Sequence, residues 1–208
     1  MRATAVFCVL LMLGTAEIRA DMIGGDGIPP WEHCALCHGL NGISRMAKFP
    51  KLAGQRYAYL AKQLRDFKSA HRDNDGGPMA GTAEQFDIPS MLKAAKWFSS
   101  QPDPPPVDGD PEESGEGRIL FEQGKPGRGV PACRSCHGAN ASSPLIAPRL
   151  EAQHAGYLAK QLHDFRNKSR TNDPNEIMQK IASFLDDREI TSLAAYLASQ
   201  ARAKEVRP

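Results

Sequence analysis

The sequence predicts an all-α protein built from two tandem domains related by internal duplication. Three observations predict it. Residues 34–101 and 133–200 carry the same text twice, at an offset that stays at 98 or 99 throughout. Within each copy apolar residues recur at helical spacing, as Leu60, Leu64 and Phe67 and again as Leu158, Leu162 and Phe165. No stretch alternates apolar and polar residues in the manner of a half-buried strand.

Residues 1–20 have the pattern of a secretory signal peptide. Arg2 supplies a positive start, Val6 to Leu13 is an apolar run too short to span a bilayer, and small residues follow. Cleavage is expected after Ala20, with Ala16 a second candidate. No other apolar stretch approaches membrane length, so the processed chain is expected not to be an integral membrane protein.

The first domain is expected over 21–101. Its helices are a segment around Leu60–Phe67 and a closing helix over 90–99. Residues 102–114 then read as a linker, because proline lacks an amide donor and favours extended geometry, while acids resist burial. The second domain is expected over 115–208. It opens with a helix over 115–123, repeats the 158–165 segment and closes over 187–203, where Ile190, Leu193, Ala194 and Leu197 share a face. Turn-rich segments are expected near residues 34–38 and 133–137 and ahead of Met79 and Met178.

Charge is unevenly spread. There are ten Lys/Arg against eight Asp/Glu over 21–100, none against six over 101–117, and fourteen against nine over 118–208. That pattern is too weak and too mixed for a nucleic-acid binder. It suits two mildly basic bodies joined by an acidic connector.

Cysteine usage carries the chemistry. Cys8 lies in the leader, and Cys34, Cys37, Cys133 and Cys136 fall in two identical frames, each followed by a histidine, His38 and His137. C-x-x-C-H is the attachment signature of c-type haem. Two thiols a short turn apart can add to the two vinyl groups of one porphyrin, and the next residue places an imidazole under the iron. A zinc ribbon pairs its C-x-x-C units across about fifteen to twenty residues, whereas 95 residues separate Cys37 from Cys133. A thioredoxin-like pair needs a βαβ setting and no histidine. Structural disulfides would leave the duplicated histidines unexplained. Two covalently attached haem c groups are therefore expected, one per domain.

Electron-carrying haems of this type commonly take His and Met as axial ligands. In the second copy Met178 is the only methionine after Met91. In the first copy Met46, Met79 and Met91 compete, and the repeat selects Met79, since Met79, Ala83 and Phe86 match Met178, Ala182 and Leu185. Met46 and Met91 are expected to be packing residues. Of the remaining histidines, His33 beside Cys34 is the alternative ligand to watch, while His71, His154 and His163 do not recur in both copies. Tyr59, Tyr157, Phe67 and Phe165 are expected to pack around the haems.

These residues carry a family resemblance. Cys-x-x-Cys-His-Gly, Pro-Lys-Leu-Ala-Gly-Gln at 50–55, Tyr-Leu-x-x-Gln-Leu-x-x-Phe and a late methionine before a closing helix resemble the cytochrome c4 family over nearly all of residues 31–200. The resemblance implies two class I cytochrome c-like domains about a pseudo-two-fold axis, with their haems near the interface. It also implies a periplasmic carrier serving redox protein donors and acceptors, among them a membrane-bound terminal oxidase. On it, Cys34, Cys37, His38 and Met79 hold one haem and Cys133, Cys136, His137 and Met178 the other. One departure matters: 21–32, rich in glycine and with Pro29-Pro30, is a poor opening helix. A first domain opened in this way supports the alternative, a haem-bearing enzyme or electron-transfer subunit of an oxidoreductase with one open iron. No nucleophile–base pair or carboxylate cluster points to bond-making catalysis, and the carrier is the favoured expectation.

Overall fold

The computed structural model describes residues 27–107, 111–138 and 146–203. The expected leader, and most of the glycine-rich segment after it, lie outside these residues. Among the described residues the chain is helical, with a single antiparallel bridge between Lys125 and Val130 and no named strand.

The first half consists of α1 (Pro30–His38), α2 (Tyr57–Lys68), α3 (Pro78–Glu84) and α4 (Ile88–Ser100). The second half consists of α5 (Pro111–Gln123), α6 (Arg134–His137), α7 (Ala155–Arg166), α8 (Ile177–Ala182) and α9 (Asp187–Ser199). The repeat pairs α1 with α6, α2 with α7, α3 with α8 and α4 with α9. Three helices differ from the expected bounds: α4 runs Ile88–Ser100 where the pattern predicts 90–99. α5 begins at Pro111, within the expected linker, and α9 stops at Ser199. Proline suits the first helical position because its missing amide has no partner there in any case.

The closing helices begin where aspartate accepts an amide. Asp87 receives the Ser90 amide at 2.7 Å, and Asp186 receives that of Glu189 at 2.8 Å. The Glu189 carboxylate accepts the Asp186 amide in return at 3.0 Å, completing a reciprocal cap. Glu189 is 1 % exposed, and Lys125 and Arg128 pair with it.

The second half has one continuous core, made by Leu120 and Phe121 of α5, Leu158 of α7, and Ile190, Leu193 and Leu197 of α9. The first half splits its core into two groups, one around Leu60 and Phe98, the other around Phe67, Phe86 and Met91. The cause lies in what covers the closing helix. In the second half Phe121 packs on Tyr196 at 5.8 Å between ring centroids. At the position equivalent to Tyr196 stands Trp97, and Trp31 stacks on it at 4.6 Å, with 12° between the rings. One aromatic side chain from the start of α1 thus does part of the covering that α5 does in the other half.

α5 and α9 meet closely because Gly117 has no side chain. A Cβ there would lie 2.1 Å from the Ser192 carbonyl oxygen, a backbone atom that cannot swing aside. Replacing Gly117 by Ala should therefore force the two helices apart. A loss of about 1–3 kcal/mol is expected, read as a lower urea midpoint with unchanged slope.

Candidate functional site

Both C-x-x-C-H segments are short helices. Cys34, Cys37 and His38 lie on α1, Cys133 is the residue before α6, and Cys136 and His137 lie on it. One helical turn brings the two thiols of each pair to the same side. None of the four thiols is in a disulfide. Burial, with Cys37 adding to it, pushes the Cys34 thiol up to about 11, and burial pushes Cys133 to about 11. Such thiols are protonated at neutral pH and are not preformed thiolate ligands. Among the described residues no three His, Cys, Asp or Glu side chains gather as a metal-ion cluster.

The two imidazoles are held alike. His38 Nδ1 lies 2.8 Å from the Pro50 carbonyl, and His137 Nδ1 lies 2.8 Å from the Pro148 carbonyl. A carbonyl only accepts, so Nδ1 carries the proton and Nε2 keeps its lone pair. Burial lowers both pKa values below the ordinary histidine range, against the opposing carbonyl bond, so both rings are neutral at pH 7. A neutral imidazole with its distal nitrogen free and its proximal N–H bonded to a carbonyl is the form that ligates a metal.

A cavity of about 690 Å³ runs through both halves. Cys34, Cys37, His38 and Met79 line it from one half, and Cys136, His137 and Met178 from the other. Cys133 instead packs against the second core. His33 also lines the cavity, its ring edge-on to Phe86 at 5.7 Å. Met91 is buried in the core as expected and also lines the cavity, whereas Met46 is 54 % exposed and packs no core. Met79 and Met178 are each held by an aspartate through the backbone. Asp75 accepts the Met79 amide at 2.6 Å, and Asp173 accepts that of Met178 at 2.7 Å. The single added residue that takes the offset from 98 to 99 falls between Asp173 and Met178. The chain absorbs it there with Asn175 and Glu176 both at φ 57°, a conformation that costs a residue with a Cβ.

Around the cavity the halves are joined by reciprocal hydrogen bonds. Gln63 Oε1 accepts from Arg72 at 2.8 Å within its half and from Arg170 at 3.1 Å across the seam. Gln161 Oε1 accepts from Arg170 at 2.7 Å and from Arg72 at 3.0 Å. Arg72 also reaches Tyr157 Oη at 3.2 Å, and Arg170 reaches Tyr59 Oη at 3.3 Å. Each guanidinium lies over its own half's phenylalanine, Arg72 on Phe67 at 4.6 Å and Arg170 on Phe165 at 4.5 Å. A second pair of crossings is made by Gln55 with the Arg149 backbone and by Gln153 with the Lys51 backbone, at 2.8–2.9 Å. Tyr59 and Tyr157 thus line the cavity but spend their hydroxyls on the seam.

Comparison with known proteins decides what this duplicated arrangement is. Cytochrome c4 of Azotobacter vinelandii is 38 % identical to the chain, over 93 % of this chain and 97 % of that protein. The chain belongs to the cytochrome c4 family. The family profile described as cytochrome c matches residues 116–201. The crystal structure of reduced recombinant cytochrome c4 from Pseudomonas stutzeri superposes with a TM-score of 0.74 at 36 % identity, covering 83 % of this chain and 97 % of that one. A protein named thiosulfate dehydrogenase electron acceptor, from Stutzerimonas stutzeri, is 33 % identical over 84 % of this chain and 82 % of its own length.

As a cytochrome c4, the chain is a dihaem c-type electron-transfer cytochrome with two tandem class I-type domains and two covalently attached haem c groups. The residues present fit those groups: thiols outside any disulfide, neutral imidazoles with Nε2 free, and Met79 and Met178 at equivalent positions of one shared cavity, which Met91 also lines. No described helix is long and apolar enough to cross a membrane.

Sequence reasoning missed Gln63, Gln161, Asp75 and Asp173. All four recur in the repeat, and that recurrence was the available signal. Gln161→Leu should leave both guanidiniums short of an acceptor at the seam. A loss of about 1.5–3 kcal/mol is expected for hydrogen bonds to a charged donor, measured as a lower midpoint of chemical denaturation.

Proposed function

We propose that this cytochrome c4 shuttles single electrons between protein partners in the periplasm, a terminal oxidase being one acceptor, and performs no bond-making catalysis itself. In this reading residues 1–20 are a cleaved leader, 21–101 and 115–208 are the two haem domains, and 102–114 connect them. Cys34 and Cys37 attach one haem, with His38 and Met79 as its axial ligands. Cys133 and Cys136 attach the other, with His137 and Met178.

One observation carries the reading: both halves present a neutral, carbonyl-anchored imidazole and a methionine to the same cavity. The haems supply the redox-active iron. His38 with Met79, and His137 with Met178, would hold each iron from both sides, which suits electron transfer because no coordination position would be left for a substrate. The Pro50 and Pro148 carbonyls keep each imidazole in one tautomer and one orientation. Asp75 and Asp173 hold each methionine's backbone at the cavity wall. The seam residues fix one half against the other, so little rearrangement accompanies a change of charge.

The likeness to a thiosulfate dehydrogenase electron acceptor favours a more specific role as a second reading. The chain would then take electrons from a sulfur-oxidising dehydrogenase, with the same closed irons.

The test is the oxidised spectrum of the protein matured with its leader. Two equivalents of the weak far-red methionine-sulfur-to-iron band per chain are expected. Met79→Ala and Met178→Ala should each remove one equivalent and leave a high-spin iron in the affected half. A full band in the Met79→Ala variant would show that another methionine, Met91 being the one that also lines the cavity, is the ligand, whereas a lost band with a low-spin iron would point to a nitrogen ligand such as His33. One equivalent in the unmodified protein would favour an open iron and an enzymatic role.

A further inference from the structure

The two closing helices present equivalent stripes of residues on one face, and the halves treat that face differently. On α9 the stripe holds Arg188, Ser192 and Tyr196, and α5 lies along it. Glu116 pairs with Arg188 at 3.5 Å, the Gly117 amide donates to Ser192 Oγ at 2.8 Å, and Phe121 packs on Tyr196. On α4 the equivalent positions hold Pro89, Lys93 and Trp97, and Lys96 stands where α9 has Ala195. Among the described residues the first half has no counterpart of α5.

A shallow groove lies there instead. Pro89, Leu92, Lys93, Lys96 and Trp97 line it from one face of α4, and the stacked ring of Trp31 lines it from α1. Its wall is almost wholly apolar. Trp97 spends its one polar atom on the Leu40 carbonyl at 3.4 Å, so its ring offers apolar surface to the groove. Both lysines are exposed at the rim, and among the described residues neither makes a salt bridge. An aromatic floor with a charged rim is the composition of a recognition surface.

The covered half shows which occupant such a face takes. Residues 111–123, which form α5, carry four glutamates against one arginine, together with Ile119, Leu120 and Phe121. Ser192 marks the closest approach of that helix, and Lys93 replaces it in the first half. A lysine at that position holds a covering helix farther off and calls for a carboxylate on it. We propose that the α4 groove docks an acidic amphipathic helix of a partner protein, with apolar side chains against Trp31, Leu92 and Trp97 and carboxylates against Lys93 and Lys96. Its place in electron transfer rests on the proposed attachment of the first haem at Cys34. Trp31 lies three residues before Cys34 on α1, and both pack against the Leu60–Phe98 group. A partner seated in the groove therefore exchanges electrons with the first haem.

The test titrates the full dihaem protein, reduced and labelled with nitrogen-15, with a helix-stapled synthetic peptide of residues 111–123. Trp31 and Trp97 are the tryptophans of the chain, so the two indole N–H signals report on the groove. Both should shift and saturate. Combining Lys93→Glu with Lys96→Glu should weaken binding about tenfold while leaving the fold intact, because both side chains are exposed. A peptide with glutamine in place of glutamate should weaken similarly. Indole signals that stay unmoved at every peptide concentration would overturn the proposal, as would equal binding by the charge-reversed variant. A dimer whose dissociation moves the indole signals would overturn it in favour of a second copy. Indole shifts caused by Met22→Ser with Ile23→Ser, without peptide, would overturn it in favour of the chain's own residues 21–26. Failure of the attachment reading shows separately: a Trp31 signal indifferent to oxidation of the protein would remove the haem from Cys34, whatever the peptide does.

Discussion

Arg72 and Arg170 are buried at the seam between the two halves and cannot shed their charge. A guanidinium taken out of water obliges its surroundings to supply acceptors, and an unsatisfied one costs more than the hydrogen bonds gain. The seam answers with Gln63, Gln161, Tyr59 and Tyr157, each cation using acceptors from both halves. Neither half can satisfy its own arginine alone. The relative placement of α2 and α7, and with it the shared cavity they line, follows from that requirement.

The site inherits its rigidity from the same crossings. An electron carrier gains from an environment that stays put when the iron changes charge, and the anchoring here is made mostly by backbone. Proline carbonyls hold the imidazoles, aspartates hold the methionine amides, and glutamines hold the backbone at Lys51 and Arg149. Where the second copy carries an extra residue, the strain falls on Asn175 and Glu176, outside these contacts. The bonds that hold the imidazoles and the methionine backbones are the same in both halves.

Much of this was legible in the sequence. The duplication and the two C-x-x-C-H motifs follow from one repeat read in register, and the same register brings forward Met79 and Met178, which both line the cavity. The helical faces at Leu60, Phe67, Leu158 and Phe165 follow from periodicity, and all four are buried. The start of α5 was not legible, because Pro111 closes a run of prolines and acids that reads as extended chain, while the same proline also serves as a helix start. The seam was not legible either. Gln63 and Gln161 read as polar positions on amphipathic helices, and a hydrophobic pattern within one domain carries no mark of a polar partner in another. Met46 shows the reverse limit: an apolar side chain in a loop has no periodicity to say that it faces water.

The stacking of Trp31 on Trp97 has a practical consequence. These are the two tryptophans of the whole chain, and both belong to the first half. Indole emission and near-ultraviolet exciton signals therefore report on one domain alone. The other half, whose closing helix carries Tyr196 instead, is silent in that window. A protein built from two nearly identical bodies thus carries a natural optical label on one of them, through which the melting of the first body can be followed separately from that of the second.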